Sequence, residues 1–315
     1  MKLVDSMLEL IGNTPIKKLN VVTKGLDVNV WVKLEYLNPS GSLKDRIALE
    51  MIEDAERSGA LKKGDTIIES SSGNTAMALS FVGAIKGYRR VIFMADVMAK
   101  EKVEMIKRYG SEIRIVEFGE AGKDASVHGA YVEIPGRIKC KEMEESEPNV
   151  WWARQFSNPA NYRGQMKLGR EIFAQLGNKI DAFVTSVGTG GTVFGVGQVL
   201  KEQIPNIKIV AVEPAGIFDH MTLSNFQIIP GVAGGILKEI SDSGVVDRLV
   251  KVEDEEAVEM YRRLCKEEGL FVGGSAGANV LTAIKIAKEM GKGSTVVTVL
   301  PDRADRYITS EHFIT

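Results

Sequence analysis

Three short segments rich in glycine, serine and threonine could bind anions, and each lies between a strand-like run and a helix-like run. In SVGTGGT (186–192), glycines let backbone N–H groups converge, threonines add hydroxyl donors, and the start of the following helix favours negative charge. This pattern indicates a phosphate site that needs no cationic side chain. The alternative is a glycine-rich turn that only allows tight packing of strand against helix.

Two nucleotide-binding interpretations of this segment fail on spacing. Position 193 is valine, where the dinucleotide-binding fingerprint requires glycine or alanine, and the pattern GxxxxGK[ST] occurs nowhere in the sequence. The phosphate therefore belongs to another kind of ligand.

The other two segments suit other polar groups. ESSSGNTA (69–76) offers hydroxyls, an amide and helix N-terminal N–H groups that fit a carboxylate, and Asn74 could also donate to a phenolate oxygen. VGGSAGAN (272–279) begins another helix, where Ser275 either caps the helix or presents a neutral hydroxyl to a ligand. Helix capping is the alternative for both segments, because serine and asparagine are common capping residues.

A single lysine, Lys44, lies in NPSGSLKDR (38–46), directly ahead of a helix-like stretch. Judged by position alone, such a lysine is usually solvated. A pyridoxal phosphate enzyme needs a lysine for the Schiff base, a phosphate site, a site for the substrate carboxylate and a partner for the ring nitrogen. Lys44 and the three segments together match these four needs. The helix-like stretch has one apolar stripe, formed by Ala48, Met51, Ile52 and Ala55.

The periodicity of the chain predicts an α/β fold with a mostly parallel sheet, because short β-rich runs alternate with helix-like stretches. The runs are TIIES (66–70), RRVIFMA (89–95), EIRIVEF (112–118), DAFVTSV (181–187), KIVAVEP (208–214) and STVVTVLP (294–301). Ligands of such sheets bind beyond the carboxyl ends of the strands, where the three segments begin. The pattern weakens before Asn149, so we place a domain boundary there and predict an N-terminal domain (1–150) and a C-terminal domain (151–315).

Composition favours small-molecule partners over nucleic acid or a membrane. The 315 residues carry a formal net charge of −2, and the charges are scattered along the chain. Cys140 and Cys265 are the only cysteines, and neither lies in a CxxC or metal-ligand spacing, which predicts a cytoplasmic protein without a metal site. Nothing in the sequence indicates export or a membrane span.

Six motifs, in order, resemble the cysteine synthase and cystathionine β-synthase family of fold-type II pyridoxal phosphate enzymes. They are NPSGSLKDR, SSGNT, QFSNPAN (155–161), GTGGT, GGSAG and PDRADRY, and the resemblance begins at IGNTPIKKL near the start of the chain. It implies a tryptophan synthase β-like fold of two α/β domains, a homodimer, and a first segment that crosses onto the C-terminal domain.

The resemblance also implies roles for the candidate residues. Lys44 would hold pyridoxal 5'-phosphate as the Schiff-base lysine, Asn74 would contact its phenolate oxygen, and Ser275 would contact its ring nitrogen. Its phosphate would be held by the loop of Gly188, Thr189, Gly190, Gly191 and Thr192. The substrate carboxylate would be held by Ser71, Ser72, Thr75 and Gln155. A serine leaves the ring nitrogen neutral, which disfavours transamination and leaves replacement of a β-substituent as the easier reaction. Lys44 would take the Cα proton, and a nucleophile would add to a bound aminoacrylate.

Some residues depart from the usual family pattern and concern substrate choice. ESSSGNTA has Ser70 in place of proline and Ala76 in place of glycine, and the later glycine-rich loop reads IPGVAGGI (229–236). Several motifs also resemble the 2,3-diaminopropionate synthase branch, which takes O-phosphoserine and an amino-acid amine. Arg137 lies about where that branch has an arginine on the substrate phosphate, and a solvated arginine is the alternative.

We therefore expect a pyridoxal phosphate-dependent cysteine synthase, which makes L-cysteine from sulfide and either O-acetylserine or O-phosphoserine. One alternative is the same half-reaction with another nucleophile, homocysteine or an amine. Another is a catalytically silent homologue that binds a small molecule.

Overall fold

The computed structural model describes residues 3–95, 100–117, 133–214 and 243–308. All the candidate site residues lie within these ranges, whereas the loop 229–236 and the three histidines lie outside the described residues. Across the described ranges, no helix has both the length and the apolar character needed to cross a membrane.

The strands form two separate sheets. The six-stranded sheet consists, in spatial order, of β1 (Ile16–Lys18), β2 (Asn29–Lys33), β10 (Thr295–Val299), β7 (Ala182–Ser186), β8 (Lys208–Pro214) and β9 (Arg248–Val252). The four-stranded sheet consists of β5 (Glu112–Val116), β4 (Arg89–Ala95), β3 (Thr66–Ser70) and β6 (Val150–Trp152). All neighbouring strands pair in parallel except β1 and β2, which are antiparallel.

The predicted α/β class is confirmed, and β3, β4 and β8 have the predicted bounds. The sequence analysis missed β1, β2, β6 and β9. Strands β1 and β6 have only three residues each, too few to show a period. Because β2 pairs with β10, the start of the chain belongs to the sheet formed by the C-terminal strands. The division of the chain into domains at residue 150 stays a prediction.

Helices surround both sheets. They are α1 (Lys44–Ser58), α2 (Asn74–Lys86), α3 (Lys100–Arg108), α4 (Ile134–Ser146), α5 (Ala160–Leu176), α6 (Gly191–Gln203), α7 (Asp254–Glu268) and α8 (Gly274–Met290). The predicted apolar stripe of α1 is buried in one core with Ile67 of β3 and Leu79 of α2. Helix α5 lies close against α1 because Gly164 has no side chain, and a Cβ there would come within 2.9 Å of the carbonyl oxygen of Arg46.

A buried network of charges fixes α1 to the rest of the fold. The guanidinium of Arg46 donates from Nε to Glu35 at 2.7 Å and from Nη1 to Glu171 of α5 at 2.7 Å. Lys33 of β2 donates from Nζ to the same Glu171 at 2.8 Å. Although burial opposes the shift, hydrogen bonds from Arg46 help to lower the pKa of Glu171 to about 2. The two cations and two carboxylates therefore balance and join β2, α1 and α5.

Replacing Arg46 with methionine should strongly destabilise the protein. Glu35 is fully buried, so the change leaves it without its cation, and breaking a buried pair in this way costs about 3–5 kcal/mol. The free energy of unfolding, measured by urea titration, should fall by about that amount. The matched control is Arg57→Met on the exposed side of the same helix, which should leave the urea midpoint almost unchanged. Equal effects of the two changes would contradict the role given to the network.

Candidate active site

The carboxyl ends of the two sheets meet at the start of α1. The segment before α1 is fixed to the end of β10, because Leu43 N–H donates to the carbonyl of Pro301 at 2.9 Å and Ser42 forms a β-bridge with Asp302. Lys44 is the first residue of α1. Strand β10 belongs to the six-stranded sheet and α1 packs on the four-stranded one, so Lys44 lies at the junction of the two.

The ammonium of Lys44 is in an environment that favours its neutral form. Burial lowers the pKa of Lys44 to about 8, although the negative charges of Glu133 and Asp302 oppose the shift. Neither carboxylate reaches the ammonium by a hydrogen bond. A substantial fraction of this amine is thus unprotonated near neutral pH, as a nucleophile or general base requires.

Charged neighbours fix the orientation of the Asn74 amide at the start of α2. Its Nδ2 donates to Oδ2 of Asp302 at 2.6 Å, and its Oδ1 accepts from Nη1 of Arg306. A guanidinium can only donate and an ionised carboxylate can only accept, so the reversed amide would be unfavourable on both sides. The Asn74 side chain also hydrogen-bonds to the hydroxyl of Tyr307, so a ligand that uses the amide nitrogen must replace either Asp302 or Tyr307 as its partner.

The loop from Gly188 to Thr192 follows β7 and leads into α6, as predicted. Gly190 has φ of +83°, in the left-handed region that favours glycine. The N–H groups in the first turn of α6 have no intrahelical acceptor. Asn161 Nδ2 donates to Thr189 Oγ1 at 3.1 Å, and any Cβ on Gly191 would collide with the Asn161 side chain. The loop is thus held in one shape by α5.

Ser275 is the second residue of α8 and its side chain is buried. The turn before it is fixed to the end of β10, because Gly273 N–H donates to the carbonyl of Asp302 at 2.9 Å. A side chain at Gly273 would collide with the Asp302 carboxylate, which explains the glycine. The third small-residue segment therefore meets the Asp302 region, as do Lys44 and Asn74.

The residues predicted to hold a carboxylate come together across the chain. Thr75 Oγ1 donates to Oε1 of Gln155 at 2.5 Å. Gln155 N–H donates to Glu69 at 2.9 Å, and Asn161 Nδ2 donates to the Gln155 carbonyl at 2.6 Å. With its oxygen occupied by Thr75, the Gln155 amide donates from Nε2 to the Ser70 carbonyl and to the Glu133 carboxyl group, each at 3.3 Å.

Ser71 and Ser72 complete this loop. The buried Ser71 hydroxyl accepts from Gly73 N–H at 3.4 Å, which shapes the turn that begins α2. The Ser72 N–H donates to the side chain of Glu133 at 3.4 Å, so it points away from the loop backbone.

Arg137 lies on α4 with its guanidinium stacked on Phe156, 3.6 Å from the ring centre. Its Nε and Nη2 are buried and have no hydrogen-bond partner among the described residues. Burial lowers the pKa of Arg137, while the charges of Glu133 and Glu69 oppose that shift. The predicted alternative of a solvated arginine is wrong for these two nitrogens. A buried donor without a partner is unusual and points to an acceptor that the described residues do not supply.

Four polar residues at the site have no role in the sequence analysis. Asp302 and Arg306 lie in PDRADRY, and Asn161 lies in QFSNPAN, so the motifs drew attention to their segments but not to their contacts. Glu133 belongs to none of the six motifs. They were missed because each acts through a hydrogen bond to a residue far away in the sequence.

The comparisons with known proteins establish the family. The family model described as "Pyridoxal-phosphate dependent enzyme" matches residues 7–302. The chain belongs to this family. The earlier resemblance to fold-type II enzymes is thereby confirmed, and the cofactor of this family is pyridoxal phosphate.

Relatives of this enzyme align over nearly their whole length. A protein named cysteine synthase from Staphylococcus aureus (strain Mu50 / ATCC 700699) is 44% identical, with 98% of this chain and 97% of the relative covered. The crystal structure of a cysteine synthase from Entamoeba histolytica is 32% identical, with a TM-score of 0.88 over 100% of this chain and 92% of that one. An O-acetylserine dependent cystathionine beta-synthase from Helicobacter pylori is 31% identical, with a TM-score of 0.89 and 100% of both chains covered.

The residues present fit the cofactor of the family. Backbone N–H groups at the start of α6, with the Thr189 and Thr192 hydroxyls, offer donors for a phosphate without any cation. Lys44 has a lowered pKa, and one buried oxygen of Asp302, Oδ1, has no hydrogen-bond partner among the described residues. This set of donors, amine and hydroxyls is what a phosphorylated aldehyde requires.

Lys44 should titrate far below an ordinary lysine in the cofactor-free protein. Its pKa of about 8 means that its reactivity toward acetic anhydride should rise steeply between pH 7 and 9 and then level off. Peptide mapping by mass spectrometry measures this for each lysine. In Asp302→Asn the plateau should be reached at lower pH, because Asp302 raises the pKa of Lys44. Reactivity that climbs steadily up to pH 10.5 would show that Lys44 is not desolvated.

Proposed function

We propose that the protein is a cysteine synthase that replaces the β-substituent of an activated L-serine, O-acetylserine in the first place, with sulfide. The observation that carries this proposal is the alignment with proteins named cysteine synthase over nearly the whole chain. The aligned length includes every loop of the candidate site. A catalytically silent homologue would not need the desolvated amine of Lys44.

Four parts of the fold contribute residues to the proposed cofactor site. Lys44 would hold pyridoxal phosphate covalently, the segment Gly188–Thr192 its phosphate, and Asn74 its phenolate oxygen. Ser275 would face the ring nitrogen with a neutral hydroxyl. When bound, the cofactor stabilises negative charge that develops at Cα of an amino acid. A serine at the ring nitrogen keeps that stabilisation moderate, which suits β-replacement better than transamination.

The chain itself supplies the proton transfer and the orientation of substrate. Nζ of Lys44 takes the Cα proton, and its lowered pKa keeps the amine neutral often enough to do so. Gln155 Nε2 and the N–H of Ser72, supported by Thr75 and Ser71, hold the substrate carboxylate and fix which bond faces Lys44. Sulfide requires no further base from the protein because it is already partly ionised at neutral pH.

Three further statements belong to the proposal. The enzyme acts as a homodimer, which the family resemblance supports. It works in the cytoplasm, which agrees with the presence of only two cysteines. Its partners are an amino acid and sulfide, and residues 1–150 and 151–315 form its two domains.

Lys44→Ala tests this function directly. The wild-type protein, supplied with O-acetylserine and sulfide, should form L-cysteine, and the change should lower kcat by about 10²–10⁴-fold or more because the general base is lost. Borohydride reduction followed by peptide mapping should place a pyridoxyl group on Lys44 alone. A label on another lysine, or no cysteine formed by the wild type from any activated serine, would overturn the proposal.

A second candidate donor is O-phosphoserine, and a specific observation favours it. Two buried nitrogens of Arg137 have no partner among the described residues, and a guanidinium binds phosphate through paired N–H groups. Arg137 lies in the first turn of α4, which begins directly after Glu133, and stacks on Phe156, the neighbour of Gln155, so its guanidinium lies beside the candidate carboxylate loop.

The donor can be decided with Arg137→Met. If a phosphate is the β-substituent, kcat/KM for O-phosphoserine should fall about tenfold to a hundredfold, because hydrogen bonds to a charged group are lost. The value for O-acetylserine should remain within about twofold. Lys139→Met, on an exposed part of the same helix, is the matched control for charge. Equal losses with both donors would show that Arg137 has a structural role.

A further inference from the structure

The carboxyl group of Glu133 lies inside the candidate substrate cleft. Glu133 is the residue before α4, and its backbone carbonyl accepts from the Ser70 hydroxyl at 2.9 Å. A small cavity beside the carboxylate loop is lined by residues from the carboxyl ends of β3, β4 and β5 and from the start of α4, among them Ser70, Ser72, Phe93, Val116, Glu133 and Gly136. The side chain is therefore presented from α4 toward the loop that begins α2.

The two carboxyl oxygens of Glu133 accept from two different donors. Oε1 accepts from Ser72 N–H at 3.4 Å, and Oε2 accepts from Gln155 Nε2 at 3.3 Å. These are the same two donors that the proposed function assigns to the carboxylate of the amino-acid substrate. Both distances are at the long end for hydrogen bonds, so the contacts are weak enough to exchange.

One pair of donors cannot serve two carboxylates at once. A substrate carboxylate that enters beside an ionised Glu133 would also meet a like charge at close range, which is unfavourable in a buried site. We propose that the Glu133 side chain occupies the carboxylate subsite formed by Ser72 and Gln155 until an amino acid displaces it, and so sets the affinity for the donor. The inference rests on the proposed function in one respect, the assignment of this subsite.

The charged and titratable neighbours of Glu133 make its occupancy depend on pH. Burial and the charge of Glu69 raise the pKa of Glu133 to about 8, although Arg137 and Lys44 oppose the shift. Among the described residues, Cys140 is a further titratable neighbour, and burial raises the pKa of its thiol, which stays neutral. Below pH 8 the carboxyl is mostly protonated and competes weakly for the two N–H donors. Above pH 8 it is ionised and competes strongly, so the competition from Glu133 against the amino acid should strengthen as pH rises through 8.

Titration of the holoenzyme with L-alanine tests this inference. L-alanine has the α-carboxylate of a donor but no β-substituent to lose, and calorimetry measures its Kd without any turnover. The variants are Glu133→Gln, which keeps the shape but can accept only one of the two hydrogen bonds, and Glu133→Ala, which removes both. Glu145→Gln is the matched control, because it removes an exposed charge from the same helix.

From pH 7 to pH 9, the wild type and Glu145→Gln should lose about fivefold or more in L-alanine affinity relative to the two Glu133 variants, as a competitor with a pKa near 8 becomes ionised while titration of the alanine amino group affects all four proteins alike. Both Glu133 variants should bind L-alanine about fivefold to tenfold more tightly than wild type at pH 9, and this advantage should shrink at pH 7. If Glu133→Ala does not fold, as judged by its thermal unfolding, the Glu133→Gln titration decides alone. Equal or weaker binding in the folded Glu133 variants at pH 9 would overturn the inference.

Two further measurements separate this inference from the proposed function. Gln155→Ala should lose L-alanine affinity about tenfold or more, and wild-type affinity in that variant would reject the subsite and the inference with it. Formation of L-cysteine by the wild type reports on the proposed function only. A protein that forms no cysteine but shows the expected L-alanine titrations would keep the inference and lose the function.

Discussion

The fold depends on one buried ionic arrangement, in which Arg46 lies between Glu35 and Glu171 and Lys33 shares Glu171. Arg46 is two residues after Lys44 on the same helix, so fixing its guanidinium also fixes where the helix begins. The carboxylates come from the segment after β2 and from α5, and thus from both sides of α1. Charges in a low-dielectric interior are tolerated only with good geometry, which makes this arrangement hard to vary.

A second organising group is Asp302, which follows β10. Its carboxylate accepts from the Asn74 amide, its carbonyl accepts from Gly273, and its backbone pairs with Ser42. These three partners belong to three of the four segments that the sequence marked as chemical, those of Asn74, Ser275 and Lys44. A single residue at the end of a strand thus coordinates groups from both sheets. This is why a site assembled from distant segments can be rigid before any ligand is bound.

The charged side chains around the cleft distinguish this site from other sites built on the same fold. The fold is shared with enzymes that are named for different products, so the fold alone does not choose the reaction. The choice must come from side chains around the cleft. Two of them are the acid Glu133, directly before α4, and the base Arg137, in its first turn, and each influences the pKa of the other. Donor and nucleophile would therefore meet a field set by this pair.

The sequence by itself determined the class of fold and the segments that form the site. Periodicity located β3, β4 and β8, and the apolar stripe of α1, because these are local properties of neighbouring residues. Glycine, serine and threonine at strand ends marked the loops for the same reason.

Only the tertiary structure decided which distant polar groups face one another. Glu133 meets Ser72 and Gln155, and Asn74 meets Asp302, across 61, 22 and 228 positions of the chain respectively. No local pattern records such pairs, since they arise from how helices pack on two separate sheets. The lowered pKa of Lys44 belongs to the same class of property, because burial and distant charges produce it.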